Sequence, residues 1–216
     1  MADLRYRYQT LELGDHDIHL RTLRDNQQFQ DDQGVAEALG ISSAAWPIFG
    51  VLWGAGHALA RLMVDYDVDG RRVLEVGCGI GLASLVLNER DCDITATDRH
   101  PSAHAFLDHN TDLNEARAIP FERTDWDDHD DDLGLFDLII ASDVLYEAHH
   151  GLMLGDFIER HAEATCSVVV FDSSRGHAGK LTQTLLGHGF SHERARAEPG
   201  DDPDNPYRGQ VHSYER

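Results

Sequence analysis

Apolar positions in this chain change period along its length, and each change marks an element. Residues 4–13 and 18–24 alternate apolar with polar side chains around Gly14-Asp15-His16-Asp17, the pattern of a β-hairpin. After a short helical stretch near residues 35–39, Ala55, Leu59 and Leu62 recur at helical spacing and predict an amphipathic helix over residues 54–64. Asp69-Gly70 ends that region, and from Arg72 onward strand and helix patterns alternate.

Strands are predicted at residues 72–76, 93–97, 119–123, 136–141, 167–171, 190–197 and 210–214. Helices are predicted at 82–89, from Pro101 through Leu113, at 152–164 and at 178–186. Pro101 is placed as the first helical residue, where its missing N–H costs nothing. The run Phe136-Asp137-Leu138-Ile139-Ile140-Ala141 is apolar almost throughout, as a parallel strand covered on both faces must be. The alternation predicts an α/β fold, a doubly wound, mostly parallel seven-stranded sheet, with the N-terminal hairpin as an extension. We place the extension at residues 1–45 and the main domain at residues 46–216.

Composition narrows the function classes. A chain of 216 residues with 41% hydrophobic content fits one domain with a full core. No stretch reaches the roughly eighteen uncharged apolar residues of a membrane span, and the first residues lack the apolar run of a signal peptide, so a cytoplasmic protein without membrane contact is expected. The formal net charge of −21 repels phosphate backbones and disfavours a nucleic-acid partner. Three scattered cysteines, Cys78, Cys92 and Cys166, suggest neither a disulfide framework nor a zinc site. The fourteen histidines offer no helical His-x-x-x-His beside a carboxylate, and the neighbours His149 and His150 do not share one helix face, so no metal is expected.

In an open parallel sheet a ligand sits at the carboxyl ends of the strands, near the point where strand order reverses. Gly77, Gly79 and Gly81 leave the first core strand and enter a helix, so no side chain blocks a ligand from the backbone or the helix N-terminus. A dinucleotide fingerprint would need its third glycine where Leu82 stands. Seventeen residues past Gly81, Asp98 closes the second core strand, where its carboxylate can accept from both hydroxyls of a ribose. Asp125 and Trp126 follow the third, a carboxylate for an adenine amino group beside a flat apolar wall. Ser142-Asp143-Val144-Leu145-Tyr146 follows the central strand and faces the same place.

The Gly-x-Gly-x-Gly loop preceded by Glu75 resembles the first motif of class I methyltransferases. Together with Leu52-Trp53-Gly54-Ala55, Thr97-Asp98-Arg99-His100-Pro101, Asn110 with Asn114, Asp125-Trp126 and Asp143-x-x-Tyr146, it resembles the family-16 seven-strand protein lysine methyltransferases over roughly residues 45 to 175. The resemblance implies a Rossmann-like methyltransferase fold, S-adenosyl-L-methionine as methyl donor and a protein lysine as acceptor. It implies a donor site of Trp53, Glu75, Gly77, Cys78, Gly79, Gly81, Asp98, Arg99, Asp125, Trp126 and Ser142, with Asp143 and Tyr146 catalytic. The chain departs from that family at Gly54, where proline is usual, at Cys78-Gly79-Ile80, and in its hairpin. A small-molecule, histidine or N-terminal amine acceptor, or a donor-binding module without catalysis, stands beside this reading. Specificity is expected in the hairpin and in the acidic loops 127–132 and 198–207.

Overall fold

A computed structural model describes residues 4–129, 131–198 and 207–216. Two antiparallel strands, β1 (Tyr6–Leu13) and β2 (His16–Leu23), form the hairpin, joined by Gly14 and Asp15 alone because Leu13 pairs directly with His16. A short α1 (Val35–Ala38), a 3-10 turn (Trp46–Ile48) and α2 (Gly54–Asp65) lead into the core.

The core alternates as expected: β3 (Arg72–Val76), α3 (Leu82–Glu89), β4 (Asp93–Thr97), α4 (Ala103–Leu113), β5 (Phe121–Glu122), β6 (Phe136–Ser142), α5 (His150–His161), β7 (Ala162–Asp172), α6 (Ala178–Gly187), β8 (Ser191–Arg196) and β9 (Gln210–Glu215). The strand order is β5-β4-β3-β6-β7-β9-β8, parallel from β5 to β7, with β9 antiparallel to both its neighbours. Order reverses between β3 and β6, so the crevice of this doubly wound sheet opens above their carboxyl ends.

Alternate residues of the central strands feed two separate apolar layers. Val73, Leu138, Ile140 and Val169 join the side covered by the hairpin, α2, α3 and α4, while Leu74, Ile139, Val168 and Val170 join the side covered by α5 and α6. Their periodicity of two, with both sets buried, is why these strands read as continuous apolar runs.

Several expected boundaries are corrected. The helix predicted from Pro101 starts at Ala103, because Asp98 Oδ1 and His100 Nδ1 accept from the His100 and Ser102 amides at 2.7 and 3.1 Å and hold that stretch as a turn. The helix predicted over 152–164 spans His150–His161 instead, and β7 starts at Ala162, five residues before the predicted strand. Ala162 pairs with Phe136, and Arg216 Nη2 donates to the carbonyls of Ala162 and Glu163, so the chain there is extended by partners distant in sequence.

The hairpin docks on α4 through side-chain amides. Asn114 donates to the His19 carbonyl and accepts from the His19 amide, both at 2.8 Å, completing β2's edge as a neighbouring strand would. Asn110, fully buried, accepts from Arg21 N–H at 2.7 Å.

Candidate active site

A cavity of about 610 Å³, the size of a cofactor or small-ligand site, opens at the carboxyl ends of β3, β4 and β6. Of the thirteen residues expected there, twelve line it; Gly81 does not. Gly81 is the N-cap of α3 with φ 77°, and a Cβ there would collide with Leu107, so its role is to seat α3 against α4. At Gly79, φ is 57° and a Cβ would come within 3.0 Å of the Phe49 carbonyl oxygen; this glycine lets the loop pass under the 3-10 turn.

Glu75 points from β3 toward α3, where its Oε2 accepts from the Ser84 amide at 2.9 Å and from the Ser84 hydroxyl. Burial pushes its carboxyl up to about 7, against the lowering effect of the Ser84 bonds. Asp98, at the end of β4, accepts from Gly79 N–H at 2.8 Å through Oδ2, so the carboxylate read as a ribose acceptor also fixes the glycine loop. Each oxygen keeps a second lone pair for a ligand. Burial raises this carboxyl too, opposed by the backbone N–H groups of His100, Gly79 and Arg99.

Asp125, like Asp98, has one partner on each oxygen. Its Oδ2 pairs with Arg99 Nε at 2.9 Å and its Oδ1 accepts from Trp126 N–H at 2.9 Å. Trp53, at the start of α2, donates from its indole to the Ile48 carbonyl at 2.7 Å and is 36% exposed, a rim rather than a floor.

On the β6 side, Ser142 faces Gly56 of α2, and the chain then turns at Asp143, whose φ of 55° is left-handed. The Asp143 amide donates to Phe171 O at 2.8 Å, and its Oδ1 accepts from Ser173 N–H at 3.2 Å. The carboxylate thus ties the end of β6 to the loop after β7 and caps no helix. Tyr146 is exposed at the mouth, its ring edge-on to His150 with centroids 4.4 Å apart. Desolvation, then the Asp98 carboxylate, raise its hydroxyl.

Sequence reasoning missed several lining residues. Phe49 stacks on His100 with ring centroids 3.7 Å apart, and burial pushes that imidazole down to about 3, so it stands neutral as part of an aromatic wall with Trp46. Arg175, in the loop after β7, also lines the cavity; its place at a strand's carboxyl end was the available signal. Glu147, His149 and His150 bring donor atoms within 4.8 Å of one another, although the sequence argues that the two histidines do not share a helix face. Its members have ordinary partners: Glu147 pairs with His149 at 3.6 Å, and His150 Nδ1 bonds the Val144 carbonyl at 3.0 Å. They also stand at the N-terminus of α5, where the helix dipole opposes a cation. Residue 130 of the acidic loop and residues 199–206 of the 198–207 loop lie outside the described residues.

Among the described residues six carboxylates line the cavity, from Glu75, Asp98, Asp125, Asp127, Asp143 and Glu147, against two guanidinium groups, Arg99 and Arg175, and no lysine. Such a field favours cations.

The family model described as lysine methyltransferase, family 16 of the methyltransferases, matches residues 40–182. The chain belongs to this family. Among curated relatives of the family, the electron transfer flavoprotein beta subunit lysine methyltransferase of Xenopus laevis is 29% identical over 117 residues, 53% of this chain and 47% of its own length. Protein N-lysine methyltransferase METTL21A of Danio rerio is 30% identical over 103 residues, 44% of this chain and 47% of its own. The chain therefore spans about half the length of the curated relatives it matches. Among solved structures, the ribosomal protein L11 methylase of Lactobacillus delbrueckii subsp. bulgaricus superposes with TM-score 0.62 at 20% identity, covering 97% of this chain and 99% of that one. Magnesium protoporphyrin IX methyltransferase of Synechocystis PCC 6803 superposes with TM-score 0.58 at 18% identity, over 74% and 80%. These likenesses establish the Rossmann-like methyltransferase fold.

Proposed function

We propose that this protein transfers a methyl group from S-adenosyl-L-methionine to the side-chain amine of a lysine in a protein partner. The observation that carries the reading is the carboxylate-lined cavity at the switch point of the sheet, with Asp98 ending β4 on one side and Asp143 following β6 on the other. Both reactants are cationic, a sulfonium and an ammonium, and both are favoured by that field. Family membership supports the same chemistry.

In this reading the glycine loop and Asp98 hold the nucleoside, and Trp126 and the Phe49–His100 wall flank it with apolar surface. The acceptor enters beside Tyr146 and meets Asp143. After the ammonium gives its proton to water, the neutral nitrogen attacks the methyl carbon; the N–C bond forms as the C–S bond breaks, and the electron pair stays on sulfur as a thioether. No enzyme-bound intermediate is needed, so positioning and desolvation supply the rate. The net charge of −21 speaks against a nucleic-acid acceptor, and a cytoplasmic site of action belongs to the same proposal. Among the described residues no helix is long and apolar enough to cross a membrane.

Tritium transfer from labelled donor to lysate proteins, followed by mass spectrometry of the labelled species, tests the reading. Methylated lysine is the expected product, and Asp143→Ala abolishes labelling while donor binding persists. Label found only on nucleic acid or small molecules, or labelling retained at Asp143→Ala, overturns it.

A further inference from the structure

The Asp143 carboxylate has one oxygen occupied and one facing a cation. Oδ1 holds the Ser173 amide, while Oδ2 lies 3.8 Å from Arg175 Nη2, a charge pair too long for a hydrogen bond. The Arg175 side chain is 45% exposed and that of Asp143 only 13%, so the carboxylate is fixed and the guanidinium has room to shift. Arg175 sits between two left-handed residues, Ser174 with φ 61° and Gly176 with φ 91°, and it lines the cavity. The cavity's other arginine, Arg99, is held by Asp125. Around the pair stand Asp172 from the end of β7, His177 ahead of α6 and Tyr207 ahead of β9. Tyr146, Glu147, His149 and His150 of the β6–α5 segment line the same cavity, as do Asp98 and Asp125.

We propose that Arg175 is a positioning residue of the acceptor side, its guanidinium beside Asp143 disfavouring the ammonium form of an incoming amine relative to the neutral amine that attacks the methyl carbon. The inference rests on the lysine reading above. An ammonium seated on Asp143 Oδ2 comes within roughly 4–6 Å of the guanidinium, the range in which a like charge shifts a protonation equilibrium. Neighbouring cations activate amine nucleophiles in this way by raising the neutral fraction near pH 7. Asp143 recruits the charge and Arg175 limits how firmly it is kept. The released proton goes to water at the exposed mouth, and methyl transfer then follows with the bond changes already given.

The test is the initial rate of tritium transfer into the labelled lysate proteins across the range from about pH 6 to 10, at saturating donor, for the unaltered protein, Arg175→Gln and Arg175→Lys. For Arg175→Gln the acidic limb moves up by about 0.5–1 pH unit, so the rate near pH 7 falls roughly 3- to 10-fold while the alkaline plateau is kept. The lysate concentration for half-saturation falls in the same variant, and Arg175→Lys tracks the unaltered protein. A limb that stays in place or moves down, or a lysine variant that behaves like the glutamine one, overturns the role of Arg175 and leaves the lysine reading standing. No label with the unaltered protein overturns both.

Discussion

Asn110 donates to the Ile80 carbonyl at 3.0 Å, and the same side chain accepts from Arg21 N–H at 2.7 Å. One buried amide on α4 therefore joins the glycine loop to the N-terminal hairpin. Removing it leaves a buried carbonyl and a part-buried amide unpaired, and each unpaired group, where buried, costs about 1–3 kcal/mol. Asn110→Ala is expected to lower stability by roughly 2–4 kcal/mol and to weaken donor binding, read by denaturant unfolding and calorimetry. Asn110→Asp keeps the bond from Arg21 and loses the one to Ile80, so it should harm donor binding more than hairpin attachment.

At Gly79 the expected cost is local. Gly79→Ala places a Cβ within 3.0 Å of a backbone oxygen in a left-handed conformation, strain of about 1–2 kcal/mol before any relaxation. Donor affinity should drop tenfold or more, because the displaced amide is the one Asp98 holds, while the far-ultraviolet circular dichroism stays unchanged.

Glu75 makes stability depend on pH with a definite sign. Its folded value, about 7, lies above its ordinary value of 4.5, so the native state binds the proton more tightly. The contribution is fully present below pH 4.5 and is lost as pH rises through about 7. Glu75→Gln removes the dependence; it should melt near the unaltered protein at about pH 5 and higher than it at about pH 8, a gain of several degrees for a chain of this size. Equal melting differences at the two pH values would show that Glu75 is charged throughout. Donor binding to the unaltered protein should strengthen over the same interval as the carboxylate ionises.

Tyr146 offers an aromatic edge and a hydroxyl, and two substitutions separate them. Its ring contact with His150 survives in Tyr146→Phe, which should keep most of the methyl-transfer rate, while Tyr146→Ala should lose about tenfold or more through lost positioning. Equal losses in both variants would assign the role to the hydroxyl.

Where short-range pattern governs, the sequence was a sufficient guide. The bounds of β3, β4 and α3 follow from apolar runs and from a helix that begins where the glycine loop ends. The start of β7 was hidden because Ala162 to Ala164 reads as helix, and Phe136 and Arg216, distant in sequence, hold it extended. The third core strand shrank to Phe121–Glu122, since only those two residues pair with Ala96 and Thr97.

The site divides in the same way. Asp98, Asp143 and the glycine loop end strands, and strand ends are legible. Phe49 and His100 meet only because the 3-10 turn folds over β4, and Arg175 reaches the cavity from a loop that no periodicity marks. Asp125 lines the cavity, but its partner Arg99 comes from another strand end, and such pairings leave no trace in local pattern.

Two non-glycine residues at adjacent strand ends, Asp143 and Ser174, keep a left-handed backbone, with φ of 55° and 61°. A glycine at either place would relax that twist, in the direction of a sturdier molecule. It would equally unfasten the heading of the Asp143 carboxylate at the cavity wall, so durability here has been exchanged for aim.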